Sequence, residues 1–103
     1  MRNRLNYWKD GGCYAMKVQQ EQQGAMTVIY DYTQKNVWPS LEHVQHRYSG
    51  IIRASVRSQM TDNLGMVIML LRGDDDQCAS LLEQLKAKTG VRSVNMTVIP
   101  PEQ

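Results

Sequence analysis

Residues 46–72, HRYSGIIRASVRSQMTDNLGMVIMLLR, decide the fold. The stretch opens at the end of a helical pattern, where Gln45-His46 precedes a Ser49-Gly50 stop. Alternation then runs from Ile51 to Met60. Ile52, Ala54, Val56 and Met60 fall on one side with Ser58 among them, and Ile51, Arg53, Ser55, Arg57 and Gln59 on the other. Thr61-Asp62-Asn63 supplies turn chemistry for a hairpin. The return strand, Leu64 to Arg72, puts Met66, Ile68 and Leu70 on one face and Val67, Met69 and Leu71 on the other. Both faces are apolar, and both need cover.

Upstream, Ala25 to Tyr32 is rich in β-branched and aromatic residues, with Met26, Val28, Tyr30 and Tyr32 on one face; it reads as a strand. After a polar turn at Thr33–Asn36, Val37, Leu41, Val44 and Tyr48 recur at helical spacing, and Pro39 fits the first turn. Downstream, Asp74-Asp75-Asp76 suits a helix N-terminus, Cys78, Leu81, Leu82 and Leu85 form its stripe, and Gly90 ends it. A last strand follows from Val91 to Ile99. The order βαββαβ predicts an α+β, ferredoxin-like sandwich, a four-stranded antiparallel sheet with two helices on one face. Two helices cover only one face, so a homo-oligomer, dimer or tetramer, is expected. A monomer is expected to expose Val67, Met69 and Leu71, and Met69→Lys to dissociate the assembly.

The chain has 103 residues and a formal net charge of +2, enough for one domain and no sign of a nucleic-acid surface. With seven Met and no Phe, aliphatic and Met side chains must fill the core. Residues 1–24, with Gly11-Gly12 and a Gln-rich run, read as a tail or linker, 25–100 as the domain and 101–103 as a C-terminal tail. Cys13 and Cys78 lie far apart without ligand spacing, Cys78 on the helix stripe; no disulfide, metal site or cofactor is expected. No run approaches the roughly 20 apolar residues of a membrane span. A cytoplasmic setting without membrane contact is the expectation.

From Gly24-Ala25-Met26-Thr27-Val28-Ile29-Tyr30-Asp31 through Leu41, Gln45-His46, Ile51-Ile52, Asp62-Asn63 and Arg72-Gly73 to Gly90-Val91, the chain resembles the C-terminal sensing domain of the nickel-responsive transcriptional regulators, an ACT-like fold. The resemblance implies a nickel-ligand histidine at His46, two more at the positions of Arg57 and Gln59, and a cysteine at or beside Gly65. Three of the four are absent. A permanently protonated guanidinium cannot ligate a cation. The resemblance also implies a ribbon-helix-helix module ahead of this domain, and the irregular residues 1–24 are too few for one. Direct DNA binding is not expected, and a separate DNA-binding partner protein stays open.

The ligand or interface candidates are His46, Arg57, Gln59, Arg53 and Trp38. His43 and His46, three apart, read as solvated or interface histidines before they read as a metal pair. Arg53 and Arg57 read as a polar strand face meeting nearby acids, or as cations that bridge subunits or gather an anion. Trp38 and Tyr32 flank the loop after strand one, as a staple at the helix entry or the wall of a small-ligand site. The aspartate run reads as a helix cap before a divalent-ion cluster. No nucleophile–base set, paired carboxylate motif or phosphate loop stands out, so no catalytic residue is assigned. The expected function is a non-enzymatic regulatory or oligomerisation domain that does not bind nickel. The alternatives are small-ligand or anion sensing at a subunit interface, and a small cofactor-independent enzyme such as a monooxygenase. A subunit-interface pocket lined by strand-two residues would favour sensing; a closed apolar cavity under the helices holding His43 or His46 would favour catalysis.

Overall fold

The computed structural model describes residues 21–99; residues 1–20, Cys13 and most of the expected tail among them, and residues 100–103 lie outside it. The elements are β1 (Glu21–Asp31), α1 (Val37–Arg47), β2 (Ile52–Gln59), β3 (Leu64–Asp74), α2 (Asp75–Lys86) and β4 (Val91–Val98). They form the expected α+β ferredoxin-like sandwich, with one antiparallel sheet in the order β2-β3-β1-β4. β1 starts before the apolar alternation does. Gln22, Gln23 and Gly24 carry no hydrophobic signal, yet their backbones pair with Gly73, Arg72 and Leu71.

The core lies between the sheet and both helices. Met26, Val28 and Tyr30 of β1 and Val67, Met69 and Leu71 of β3 meet Val37, Leu41 and Val44 of α1 and Cys78, Leu81 and Leu85 of α2. Burial pushes the Cys78 thiol above its ordinary range, with Asp74 and Asp75 adding to it, so this sulfur is a packing group. The α2 cap is as expected: the Asp74 carboxylate accepts from the Gln77 backbone N–H at 2.8 Å. At the other end Gly90 turns the chain with φ +92°, a conformation that favours glycine. A Cβ at Gly24 would collide with the Thr97 carbonyl, so β1 and β4 approach this closely only over a glycine.

Two expectations about faces are corrected. Val67, Met69 and Leu71 are the buried set, and the exposed set is its complement, with Ile68 at 40% and Leu70 at 51% exposure. The pairing decides this. Val67 and Met69 lie opposite Val28 and Met26, so they share the face that β1 turns to the helices. The open face carries Ile29 and Thr27 of β1, Met66, Ile68 and Leu70 of β3, and Ala54 and Val56 of β2. The second correction is in β2. Its ladder to β3 skips Arg53, with Ile52 opposite Leu71 and Ala54 opposite Leu70. This bulge consumes one residue and turns Ile52 to the helix side, away from Ala54 and Val56.

Asp31 closes the lower end of the sheet. Its carboxylate accepts from the Thr33 hydroxyl at 2.6 Å and the Thr33 backbone N–H at 3.0 Å, and Arg92 meets it at 3.2 Å. The Thr33 bonds, then Arg92, hold its pKa below the ordinary carboxylate value. A carboxyl acidified by folding adds stability above its unfolded pKa. That stability is lost as pH falls through the lower folded value. Thermal melts should therefore show a steep acid limb below about pH 4, the unfolded pKa region of Asp. In Asp31→Asn that limb should be shallower; an unchanged limb would show that Asp31 does not contribute.

Candidate functional site

The site is built where α1 faces the edge strand β2. Trp38 stands in the first turn of α1, half-buried, because Pro39 and the left-handed Asn36 (φ 65°) fix the helix entry above Tyr30. Its ring lies 5.7 Å from the Tyr30 ring at a 32° tilt. On Trp38 sits the guanidinium of Arg57, 3.9 Å from the ring centroid. Such a contact contributes about 0.5–1 kcal/mol at an exposed site. Arg57 pairs with Val67 in the ladder, which aims its side chain to the helix side of β2. Burial raises the Tyr30 phenol pKa, and the neighbouring Arg57 cation partly offsets it.

Gly65 completes the stack. It lies opposite Tyr30 on one side and Gln59 on the other. A Cβ at this position would fall 2.9 Å from Cζ and Oη of Tyr30, so the ring occupies the space where a side chain at 65 would point. Positions 57 and 65, where the resemblance implies nickel ligands, are thus taken up by an aromatic–guanidinium stack.

One pleat further along β2 an open groove of about 730 Å³ runs between α1 and the strand. Trp38, Pro39 and Ile52 give it an apolar bed, and His43, His46, Glu42 and Ser55 are among its polar lining. Gln45 anchors the bed. Its Oε1 accepts from the Ser55 hydroxyl at 3.1 Å, while its Nε2 is sealed from solvent and has no partner among the described residues. Such a buried donor costs roughly 1–3 kcal/mol while it stays unpaired. Among the described residues no group of three or more His, Cys, Asp or Glu side chains could hold a metal ion.

Of the expected candidates, the structure brings Trp38 and Arg57 into contact and sets His46 on the groove that Trp38 lines. Gln59 is exposed opposite Gly65, one pleat beyond Arg57. Arg53 does not join them, because the bulge takes it out of the ladder. Tyr32 does not reach Trp38's site either; its hydroxyl donates to the Thr61 and Asp62 carbonyls, tying the β1 end to the hairpin. Tyr30, Gln45, Ser55 and Ile52 were not singled out as site residues. Tyr30 read as plain core, and only the bulge gives Ile52 its place.

The family model described as the NikR C terminal nickel binding domain matches residues 23–99. Relatives named as nickel-responsive regulators include one of Methanocella arvoryzae, 31% identical over 82% of this chain and 61% of its own length. Another, of Methanosarcina mazei, is 30% identical over 76% of the chain and 56% of its own length. The chain thus spans about three-fifths of these curated relatives. Among solved structures, an uncharacterized protein of Thermotoga maritima superposes with a TM-score of 0.72 at 17% identity, over 79% of this chain and all of that one. The ACT domain of the Chlorobium tepidum GTP pyrophosphokinase gives 0.66 at 14% identity, over 76% of this chain and 100% of that one. At such identities these two likenesses speak for the fold alone. No helix among the described residues is long and apolar enough to cross a membrane. By the extent of the family match and the identity of its relatives, the chain belongs to the family of the NikR C terminal nickel binding domain.

Proposed function

We propose that this chain is a non-enzymatic regulatory and assembly domain in which the family's nickel site has been replaced. The observation that carries the reading is Arg57 stacked on Trp38. A square-planar nickel centre needs neutral imidazoles and a thiolate. The positions concerned offer one histidine, a fixed cation and an amide, and Tyr30 fills the space beside Gly65. The residues present do not fit the metal. The stack serves a mechanical role of its own. β2 has no fully buried side chain, and Arg57 fastens its helix-facing side to α1.

The open sheet face supports self-association, as a dimer or tetramer of this chain. Each Ile68 or Leu70 side chain fully covered would contribute about 1.5–3 kcal/mol. The groove carries Ile52 and Ser55 of β2 and is open at the sheet edge, unlike the enclosed cavity beneath the helices that catalysis calls for. A cytoplasmic regulator working with a separate DNA-binding partner is the setting this implies. Calorimetric titration with nickel tests the central claim. No tight stoichiometric binding should appear, nor the absorbance of a nickel–thiolate centre. Tight binding that disappears in His46→Ala would overturn it.

A further inference from the structure

We propose that Arg57 and the adjoining groove form a binding site for a small organic monocarboxylate bearing a second hydrogen-bond acceptor. The inference rests on the Arg57–Trp38 stack described above, and is independent of the assembly. Stacking engages the flat face of a guanidinium and leaves its N–H donors in the plane; one side of that plane meets the Tyr30 hydroxyl, and the remaining donors are left for another partner. Among the described residues no carboxylate takes them; the ion pairs there join Arg72 to Glu21 and Arg92 to Asp31. A planar donor fork, held by an aromatic ring and lacking an acid, is the arrangement that receives a carboxylate through two parallel hydrogen bonds.

The groove gives the rest of the molecule somewhere to lie. Ser55 and Arg57 project to the same side of β2, since they pair with the core-facing Met69 and Val67. The groove that Ser55 borders therefore begins one pleat from the guanidinium, with Trp38 common to both. Its volume of about 730 Å³ is within the range of small-molecule sites. Ile52 and Trp38 suit an apolar or planar body. Beneath them the unpartnered Nε2 of Gln45 lacks an acceptor, which a ligand carbonyl or hydroxyl oxygen would supply after a small shift of the side chain. Glu42, the one carboxylate among the described lining residues, disfavours a second negative charge on the ligand and leaves the acid to Arg57.

The test is nuclear magnetic resonance titration of the full chain with a panel of hydroxy and keto monocarboxylates, each matched to its neutral carboxamide. The probes are the Trp38 indole N–H, identified with Trp38→Phe, and the Arg57 Nε–H. Carboxylates should move both signals saturably, and the carboxamides should bind about tenfold or more weakly, the usual effect of losing a charge-assisted pair. Arg57→Lys, which keeps the charge without the fork, should weaken binding by a similar factor. Gln45→Leu should weaken the oxygenated acids and leave acetate unchanged. Equal binding of acids and amides, binding unaffected by Arg57→Lys, or no saturable shift with any acid would overturn the proposal. So would small acids that act only by dissociating the oligomer, since Arg57 would then be paired with a carboxylate of a second copy. A silent nickel titration alongside these failures would leave the loss of the metal site standing.

Discussion

Met69→Lys should unfold the domain, and Leu70→Lys, one residue away, should leave it folded while dissolving its assembly. Met69 is fully buried against Met26 and the helices, so replacement removes core packing worth about 2–5 kcal/mol and inserts an unpaired ammonium. Against a total stability of about 5–15 kcal/mol, that is close to complete loss. Leu70 is 51% exposed, and Val56 beside it on the open face is 67% exposed. A lysine at 70 should cost the monomer fold only about 0.5 kcal/mol or less, as other surface substitutions do, so the variant should melt at the temperature the wild type reaches on dilution to monomer. Sedimentation of wild type should give an oligomer, and of Leu70→Lys a monomer with native circular dichroism. A wild-type monomer, or an intact oligomer in Leu70→Lys, would remove the open face from the argument. A folded Met69→Lys would contradict the core itself.

The second large effect concerns rebuilding the metal site. Arg57→His, Gln59→His and Gly65→Cys together restore the implied donor set, and that variant should still not bind nickel tightly. The new Cβ at 65 would press on the Tyr30 ring, which is itself buried and set against Trp38. Overpacking of this kind costs about 1–3 kcal/mol, and the triple variant should melt lower accordingly. Adding Tyr30→Ala clears the space, so the quadruple variant should bind nickel more tightly than the triple. Tight stoichiometric binding by the triple variant, with an unchanged melting temperature, would show that Tyr30 is no obstacle and that only the donors were lost.

Periodicity carried the fold. The alternation of Met26, Val28 and Tyr30, the stripes Val37-Leu41-Val44 and Cys78-Leu81-Leu85, and the Asp74 cap each led to the element observed. What periodicity could not do was choose between the faces of β3, because Met-Ile-Leu and Val-Met-Leu are equally apolar. That choice lies in the register, where Met26 meets Met69, and register is a long-range property. The bulge at Arg53 was hidden for a related reason: one skipped residue leaves no mark in an exposed, mostly polar strand. In the site, Trp38, Arg57 and His46 could be named from the sequence. Their meeting could not, since it needs Tyr30 to serve as core residue and stacking partner at once.

The skipped residue in β2 bears on solubility as well as on geometry. A long, flat edge strand offers its free amides and carbonyls as a template, and chains added there can extend into fibres without limit. In β2 the ladder is broken near its start, and arginines stand at 53 and 57. The break bends and twists the edge, and like charges oppose any copy that tries to continue the sheet in register. In the proposed assembly, association would thereby be turned from the rim of the sheet to its broad face, where contacts between copies can close on themselves in a finite particle.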